Sequence, residues 1–141
     1  MGASWQVTAE LSNLEPIRNF IGENAAKLGV DSPAVEDMLL AVTELVTNTI
    51  EHGYQHQRGS IQIDVDRTAD SLIVRLRDQS PPFDPTTVPP PDLTVPLDQR
   101  PLGGLGIYLT MQIMDEVKYC LTPESDNEIT LIKKINSRRG H

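Results

Sequence analysis

The chain has 141 residues, which suffices for one domain that buries a two-layer core without disulfides or metals. Hydrophobic residues make up 38% and aromatic residues 4%, so the predicted core is aliphatic and disorder is not the default expectation. The net charge is −8 and no apolar run approaches the roughly 18 residues of a membrane span, so we expect a soluble, cytoplasmic protein with neither nucleic acid nor membrane as a partner.

The amino-terminal part predicts a strand followed by a helix. Apolar residues alternate with polar ones from Trp5 to Ala9, which is typical of a half-buried strand. A capping box at Ser12 and Glu15 opens an amphipathic pattern over 13–28 that stops at Gly29. A first helix is therefore expected over 13–28.

A second helix is expected from Pro33 to His52, ending at Gly53. Its apolar stripe comprises Val35, Met38, Leu39, Val42, Val46 and Thr49. Two alternating runs, 61–65 and 72–76, flank the turn residues 67–71 and predict a β-hairpin that ends at Asp78.

Eight of the eleven prolines fall between Pro81 and Pro101, which excludes a helix or a central strand there and predicts a long loop. A third helix over 104–114 and strands near 116–121 and 128–135 follow. The order predicts one α+β domain over 1–141, a two-layer sandwich with helices on one face of a mostly antiparallel, mixed sheet.

The single cysteine, Cys120, lies in a predicted strand and has no partner for an internal disulfide, which fits a reducing compartment. We expect it to be a small buried hydrophobic residue rather than a reactive thiol.

Glu44 and Asn48 lie one helical turn apart on the polar face of the second helix. This spacing suits a carboxylate that takes a proton from an attacking hydroxyl beside an amide oxygen that binds Mg²⁺. A solvated helix face is the alternative interpretation. His52, one turn later, either lines the same cavity or is satisfied by the helix dipole.

Asp78 closes the predicted hairpin, where a buried carboxylate is able to accept a hydrogen bond from an exocyclic amine such as that of adenine. Capping of nearby backbone amides is the alternative. Phe83 is expected either against the bound ring or in the core.

Glycines at 103, 104 and 106 open the third helix, and such a turn lets backbone amides approach phosphate oxygens. Arg100, just before them, is a candidate phosphate or partner contact. A Rossmann fingerprint and a phosphate-binding loop of the G-x-x-x-x-G-K-[ST] type are both missing, so a nucleotide site here would be of another kind.

Taken together, these segments resemble the GHKL ATPase family, with its Bergerat fold, and most closely the small bacterial anti-sigma-factor serine kinases. The N box appears as Glu44–Gly53 (ELVTNTIEHG), the first glycine box as Asp78–Pro85 (DQSPPFDP) and the second as Gly103–Leu109 (GGLGIYL). The similarity extends from the first strand to the last, over nearly the whole chain.

The resemblance implies a site for ATP and Mg²⁺, with Asn48 on the metal, Asp78 on the adenine amine and Glu44 as the catalytic base. It places the second glycine box, Gly103, Gly104, Leu105 and Gly106, around the phosphates and makes 85–102 the ATP lid. Where the family usually has glycine this chain has Ser80, which lacks the glycine's access to positive φ and is expected to narrow the pocket near the adenine.

Two functions follow from the resemblance. The first is a Mg-ATP-dependent serine/threonine protein kinase that phosphorylates an anti-anti-sigma (STAS-type) antagonist and acts as an anti-sigma factor, with a sigma factor or another regulatory protein as its client. The second is a nucleotide-binding or nucleotide-free regulatory module without kinase activity. The resemblance also points to a homodimer, formed through the first strand and helix.

Overall fold

One five-stranded sheet forms the frame of the protein, in a computed structural model that describes residues 2–30, 33–90, 94, 96 and 104–135. The strands lie in the order β1-β2-β3-β5-β4, and every pairing among the described residues is antiparallel. Their bounds are Ala3–Thr8 (β1), Ser60–Arg67 (β2), Ser71–Asp78 (β3), Glu116–Leu121 (β4) and Asn127–Lys134 (β5).

Three helices, Leu14–Lys27 (α1), Pro33–Asn48 (α2) and Gly104–Ile113 (α3), cover one face of this sheet. The core between the two layers is almost wholly aliphatic, because alternate strand residues and one stripe of each helix point into it. Its fully buried members include Ile17, Ile21, Met38, Leu45, Ile63, Leu72 and Leu131. The predicted α+β sandwich is confirmed, and no described helix is long and apolar enough to cross a membrane.

The start of α1 differs from the prediction. A short 3₁₀ turn, Leu11–Asn13, precedes the helix, and the N-cap is Asn13, which makes no side-chain capping bond. Its amide donates instead to the carbonyl oxygen of Thr8 at 2.8 Å and to the Thr8 hydroxyl at 2.9 Å. The capping box predicted at Ser12 is wrong, because the 3₁₀ turn already includes that residue before the α-helix begins.

The end of α2 also differs from the prediction. The α-helix stops at Asn48, and a π-helical turn, Thr49–Gly53, continues the chain up to the predicted end. A π turn has one more residue per hydrogen-bonded loop than an α turn, so it changes the direction of the side chains that follow. Ile50 of this turn is buried in the core, whereas Thr49 and His52 line a cavity beside the end of β3.

The other face of the sheet is polar and open. Arg77 pairs with Glu128 across β3 and β5, and this ion pair holds the pKa of Glu128 below its ordinary value. Cys120 lies on the same face and is exposed, so its predicted burial is wrong: its register opposite Glu128 turns it away from the helices. A hydrogen bond to the Glu128 carboxylate raises the pKa of the thiol, which disfavours the reactive thiolate.

Lys133, on β5, ties the carboxyl end of α3 to α2. Its ammonium donates to the carbonyl oxygen of Ile113 at 2.5 Å and lies 3.3 Å from a carboxylate oxygen of Asp37 and 3.9 Å from one of Asp115. Only 15% of the side chain is exposed. A cation at the end of a helix offsets the partial negative charge of its last carbonyls.

We expect Lys133→Met to lower the free energy of unfolding by about 1–3 kcal/mol, because it removes the charged hydrogen bond to Ile113 and the ion pairs with Asp37 and Asp115. Urea unfolding followed by circular dichroism measures this change. Lys134→Met is the matched control, since the Lys134 side chain is exposed. Equal stability of the two variants would contradict the assigned role of Lys133.

Candidate functional site

The last residue of β3, Asp78, is buried, with 4% of its surface exposed. Its Oδ1 accepts hydrogen bonds from the Ser80 backbone amide (2.9 Å), the Ser80 hydroxyl (2.6 Å) and the Asn127 side-chain amide (3.1 Å). Oδ2 has no hydrogen-bond partner among the described residues. The carboxylate is therefore fixed at the sheet end, with one oxygen still free to accept.

Ser80 fits its position without backbone strain. Its φ is negative, unlike those of the three non-glycine residues with positive φ that the structure describes, so the conformational cost expected from replacing a glycine does not arise. Its hydroxyl lies against Gly53, where an added Cβ would come within 2.7 Å of the Ser80 oxygen. A glycine is thus needed at 53, rather than at 80, for close approach.

Asn127, at the start of β5, is a central residue of the site that the sequence analysis missed. It is 3% exposed, and its amide nitrogen donates to Asp78 and to the carbonyl oxygen of Ser80 at 2.9 Å. Its oxygen accepts from the backbone amide of Phe83 at 3.1 Å and from the hydroxyl of Tyr119 at 2.6 Å. It joins β5 to the turn after β3, and only the strand pairing reveals this neighbourhood.

A cavity of about 200 Å³ opens beside this network. The cavity is smaller than the roughly 300–1,000 Å³ typical of sites for whole drug-sized ligands, which fits one ring system rather than a complete nucleotide. The structure brings four predicted site residues together around it, along with Ser80 and Asn127. These four are Asn48, His52, Asp78 and Phe83.

A second cavity, of about 110 Å³, adjoins the first, because Asn48 and His52 line both. Glu44 and Glu51 also line it, and Ile107 of α3 closes one side. Glu44, the predicted catalytic base, and Asn48, the predicted metal ligand, thus share this second cavity. Asp78, the residue predicted to bind adenine, lines the first cavity.

Gly106, in the first turns of α3, lies directly against the Glu44 carboxylate, and a Cβ there would collide with it. The predicted glycine-rich segment and the predicted catalytic base, Glu44, are therefore in contact. Gly104 begins α3, and its backbone together with that of Leu105 forms the first turn of this helix. Arg100 and Gly103 lie outside the described residues.

Tyr54 holds the loop after the π turn against the end of β3. Its hydroxyl donates to the carbonyl oxygen of Ser60 and accepts from the backbone amide of Gln79, both at 2.8 Å. Burial of the ring raises the pKa of Tyr54 above its ordinary value, which keeps the hydroxyl protonated as a donor. The residue next to Asp78 is thereby anchored.

Phe83 is 39% exposed and lines the larger cavity, so the alternative that placed it in the core is wrong. The proline-rich segment continues from it with a 3₁₀ turn, Pro85–Thr87, capped by the Asp84 carboxylate. Of the predicted lid, 85–102, the structure describes residues 85–90, 94 and 96.

Asn48 has the properties expected of a Mg²⁺ ligand. Its side chain makes no hydrogen bond with any described residue, and it lies where the two cavities meet. An amide oxygen is a hard ligand of the kind that Mg²⁺ accepts singly, beside water and phosphate oxygens. Asn48 would therefore be able to supply one oxygen ligand to Mg²⁺ where the two cavities meet.

The architecture is a five-stranded antiparallel sheet with helices on one face and two adjoining cavities beside the end of β3. Residues 7–133 match the family model of the histidine kinase-like ATPase domain, and the chain belongs to this family. The predicted relationship to the GHKL ATPases is thereby confirmed.

Its relatives include named protein kinases. The serine-protein kinase RsbW of Listeria monocytogenes is 30% identical over 120 residues, which are 82% of this chain and 75% of that protein. RsbW of Bacillus cereus is 29% identical over 117 residues, 80% of this chain and 73% of that protein. The similarity to serine-protein kinases thus covers most of both chains.

A solved structure shares the fold. The crystal structure of the RsbU and RsbW domains of a Mycobacterium tuberculosis protein superposes with a TM-score of 0.66 at 16% sequence identity. The match covers 96% of this chain and 32% of that chain, so this chain corresponds to about a third of it.

Proposed function

We propose that this protein is a Mg-ATP-dependent serine/threonine protein kinase that acts as an anti-sigma factor and phosphorylates a STAS-type antagonist protein. Membership in the ATPase family and the similarity to serine-protein kinases RsbW support the proposal. The observation that carries it is the pair of adjoining cavities: Glu44 lines one, Asp78 lines the other, and Asn48 lies between them.

Each residue has a distinct role in this proposal. Asp78 accepts a hydrogen bond from the adenine amine in the larger cavity, and Phe83 covers the ring. Asn48 holds Mg²⁺, which when bound neutralises charge on the phosphates. Glu44 takes the proton of the attacking serine or threonine hydroxyl. Phosphoryl transfer relies mainly on positioning and charge stabilisation, so these groups and backbone amides are sufficient.

The second glycine box supplies the backbone amides in this proposal. Gly104, Leu105 and Gly106 open α3, and a helix amino terminus favours phosphate oxygens. Gly103 and Arg100 precede them and are assigned to the phosphates by the same reasoning. His52, which lines both cavities, is assigned to the nucleotide as well.

A phosphotransfer assay tests the proposal. The protein is incubated with γ-labelled ATP, Mg²⁺ and a STAS-type antagonist encoded in the same genome. We expect label on the antagonist that survives acid, as serine and threonine phosphates do, and no transfer when Mg²⁺ is chelated. Nucleotide binding without any transfer to a panel of such antagonists would contradict the kinase activity.

The alternative is a regulator that binds its partner without phosphorylating it. One observation favours it: Asp78 already accepts three internal hydrogen bonds, so the strand end keeps its shape without a ligand. Calorimetry identifies the nucleotide-free form of this regulator, which releases no heat with millimolar Mg-ATP. A regulator that binds nucleotide is separated from the kinase by the phosphotransfer assay, in which it gives no labelled antagonist.

We also propose a homodimer through β1 and α1. Trp5, on the edge strand β1, is 38% exposed and packs against Phe20 of α1 with 5.3 Å between ring centroids. An exposed aromatic side chain beside an unpaired strand edge is a common feature of interfaces.

We expect Trp5→Ser to shift the protein from dimer to monomer in sedimentation velocity at micromolar concentration. Leu121→Ser, which removes an exposed apolar side chain from the opposite edge strand, is the control and is expected to leave the dimer intact. A wild-type protein that sediments as a monomer would exclude this interface.

A further inference from the structure

Ser80 and Asn127 hold the Asp78 carboxylate in one orientation, and we propose that this makes them positioning residues for recognition of an exocyclic amine. The inference rests on the proposed ATP site. It assigns to these two residues the preference for an amino-purine over the same purine without its amine, although neither is proposed to act on the phosphates.

The donors to Asp78 are all on one side. Two come from Ser80, its backbone amide and its hydroxyl, and the third is the amide of Asn127. All three end on Oδ1, which leaves Oδ2 as the oxygen available to a ligand in the cavity that Asp78 lines. Rotation of the carboxylate would break all three hydrogen bonds together.

The orientation of the Asn127 amide follows from its other neighbours. A backbone N–H only donates, so the atom that faces the amide of Phe83 must be the Asn127 oxygen. The hydroxyl of Tyr119 donates to the same oxygen. The Asn127 nitrogen therefore faces Asp78, where it acts as a donor.

The hydrogen bonds that fix the Asp78 carboxylate are buried inside the protein rather than exposed on its surface. Ser80 is 6% exposed, and Gly53 leaves the space that its hydroxyl occupies. Buried hydrogen bonds of this kind are stronger than exposed ones, because no water competes for the groups. Asp78 is thus presented to a ligand in a single orientation before the ligand arrives.

A carboxylate oxygen accepts hydrogen bonds, so a fixed Oδ2 rewards a ligand that brings an N–H group to that point. ATP has such a group at position 6. Purine riboside triphosphate, which is ATP without this amine, lacks it. If these hydrogen bonds to Asp78 are lost, the carboxylate turns and its contact with the amine weakens, while the binding of the amine-free nucleotide changes little.

Calorimetry with Mg-ATP and with Mg-purine riboside triphosphate tests whether Ser80 and Asn127 set the preference for the amine. The affinity for each nucleotide is measured in wild type, Ser80→Ala and Asn127→Asp. We expect wild type to prefer ATP by about 10- to 150-fold, as for a hydrogen bond to a charged group. Each variant is expected to reduce this ratio at least about fivefold, chiefly through weaker ATP binding. Asn127→Asp keeps the acceptor for Phe83 and Tyr119, and Ser80→Ala changes one hydroxyl only.

Ser71→Ala is the matched control, because it removes a buried serine hydroxyl at the other end of β3, where it donates to Asp70 and lines neither cavity; it is expected to keep the wild-type ratio. A general loss of structure would weaken both nucleotides equally and leave the ratio unchanged. If both variants keep the wild-type preference for ATP, Ser80 and Asn127 are not positioning residues for the amine, and the proposed function is unaffected. A wild type that binds neither nucleotide overturns the ATP site itself.

Discussion

Asp78→Asn is expected to abolish measurable ATP binding while the fold remains intact. Three donors point at Oδ1, so the asparagine must place its only oxygen there. Its NH₂ group then occupies the position of Oδ2 and meets the adenine amine, donor against donor. Loss of a charged hydrogen bond alone weakens binding by about 10- to 150-fold, and the opposed donors add to this.

Isothermal titration with Mg-ATP measures the change, and circular dichroism confirms the fold. Asp64→Asn is the control: this residue lies on the open face of the sheet, where it accepts a hydrogen bond from Ser4. It carries the same change in charge away from both cavities. If the Asp78→Asn protein binds ATP as tightly as wild type, Asp78 does not recognise the adenine.

The fold was largely predictable because the relevant signals are local. Alternation of apolar and polar residues located β2 and β3 within a residue or two, and helical periodicity located α1 and α3. The two errors at helix ends arose where a non-α turn intervened. A 3₁₀ turn shifted the start of α1, and a π turn replaced the last part of the predicted α2. Sequence periodicity does not distinguish one helical turn of either kind from an α turn.

The site was only partly predictable. Glu44, Asn48 and Asp78 stand out in the sequence because carboxylates and amides at these spacings have chemical uses. Asn127 does not stand out, since it follows an ordinary turn and lies 49 residues from the carboxylate that it binds. Only the antiparallel pairing of β3 with β5, which sets Asp78 opposite Asn127, brings the two together.

Ser80 shows how a local rule gives a wrong expectation when the partner is unknown. Glycine is required where φ is positive or where another group approaches closely. Here the backbone at Ser80 needs neither, and the close approach falls on Gly53 instead. The serine hydroxyl donates to Asp78, and because Ser80 also lines the cavity, the narrowing expected near the adenine stays a prediction. Its effect on the site depends on a pair of residues 27 positions apart, which a single motif does not reveal.

Glu44→Ala is expected to retain ATP binding and to lose phosphate transfer. The Glu44 carboxylate lies in the smaller cavity against Gly106, apart from the cavity that Asp78 lines. Its removal therefore leaves the proposed contacts with the adenine in place. A positioned general base contributes about 10²- to 10⁴-fold to a rate. We expect transfer to the antagonist to fall by that factor, with the Kd for Mg-ATP unchanged within about twofold.

Single-turnover transfer and calorimetry on the same preparation separate the two effects. Glu36→Ala is the control, because Glu36 is exposed in the first turn of the same helix and lines neither cavity. Transfer at the wild-type rate in Glu44→Ala would show that another group takes the proton. Loss of ATP binding in this variant would instead make Glu44 part of the nucleotide site. Only retained binding with lost transfer assigns to Glu44 the proton acceptance that distinguishes a kinase from a nucleotide-binding regulator.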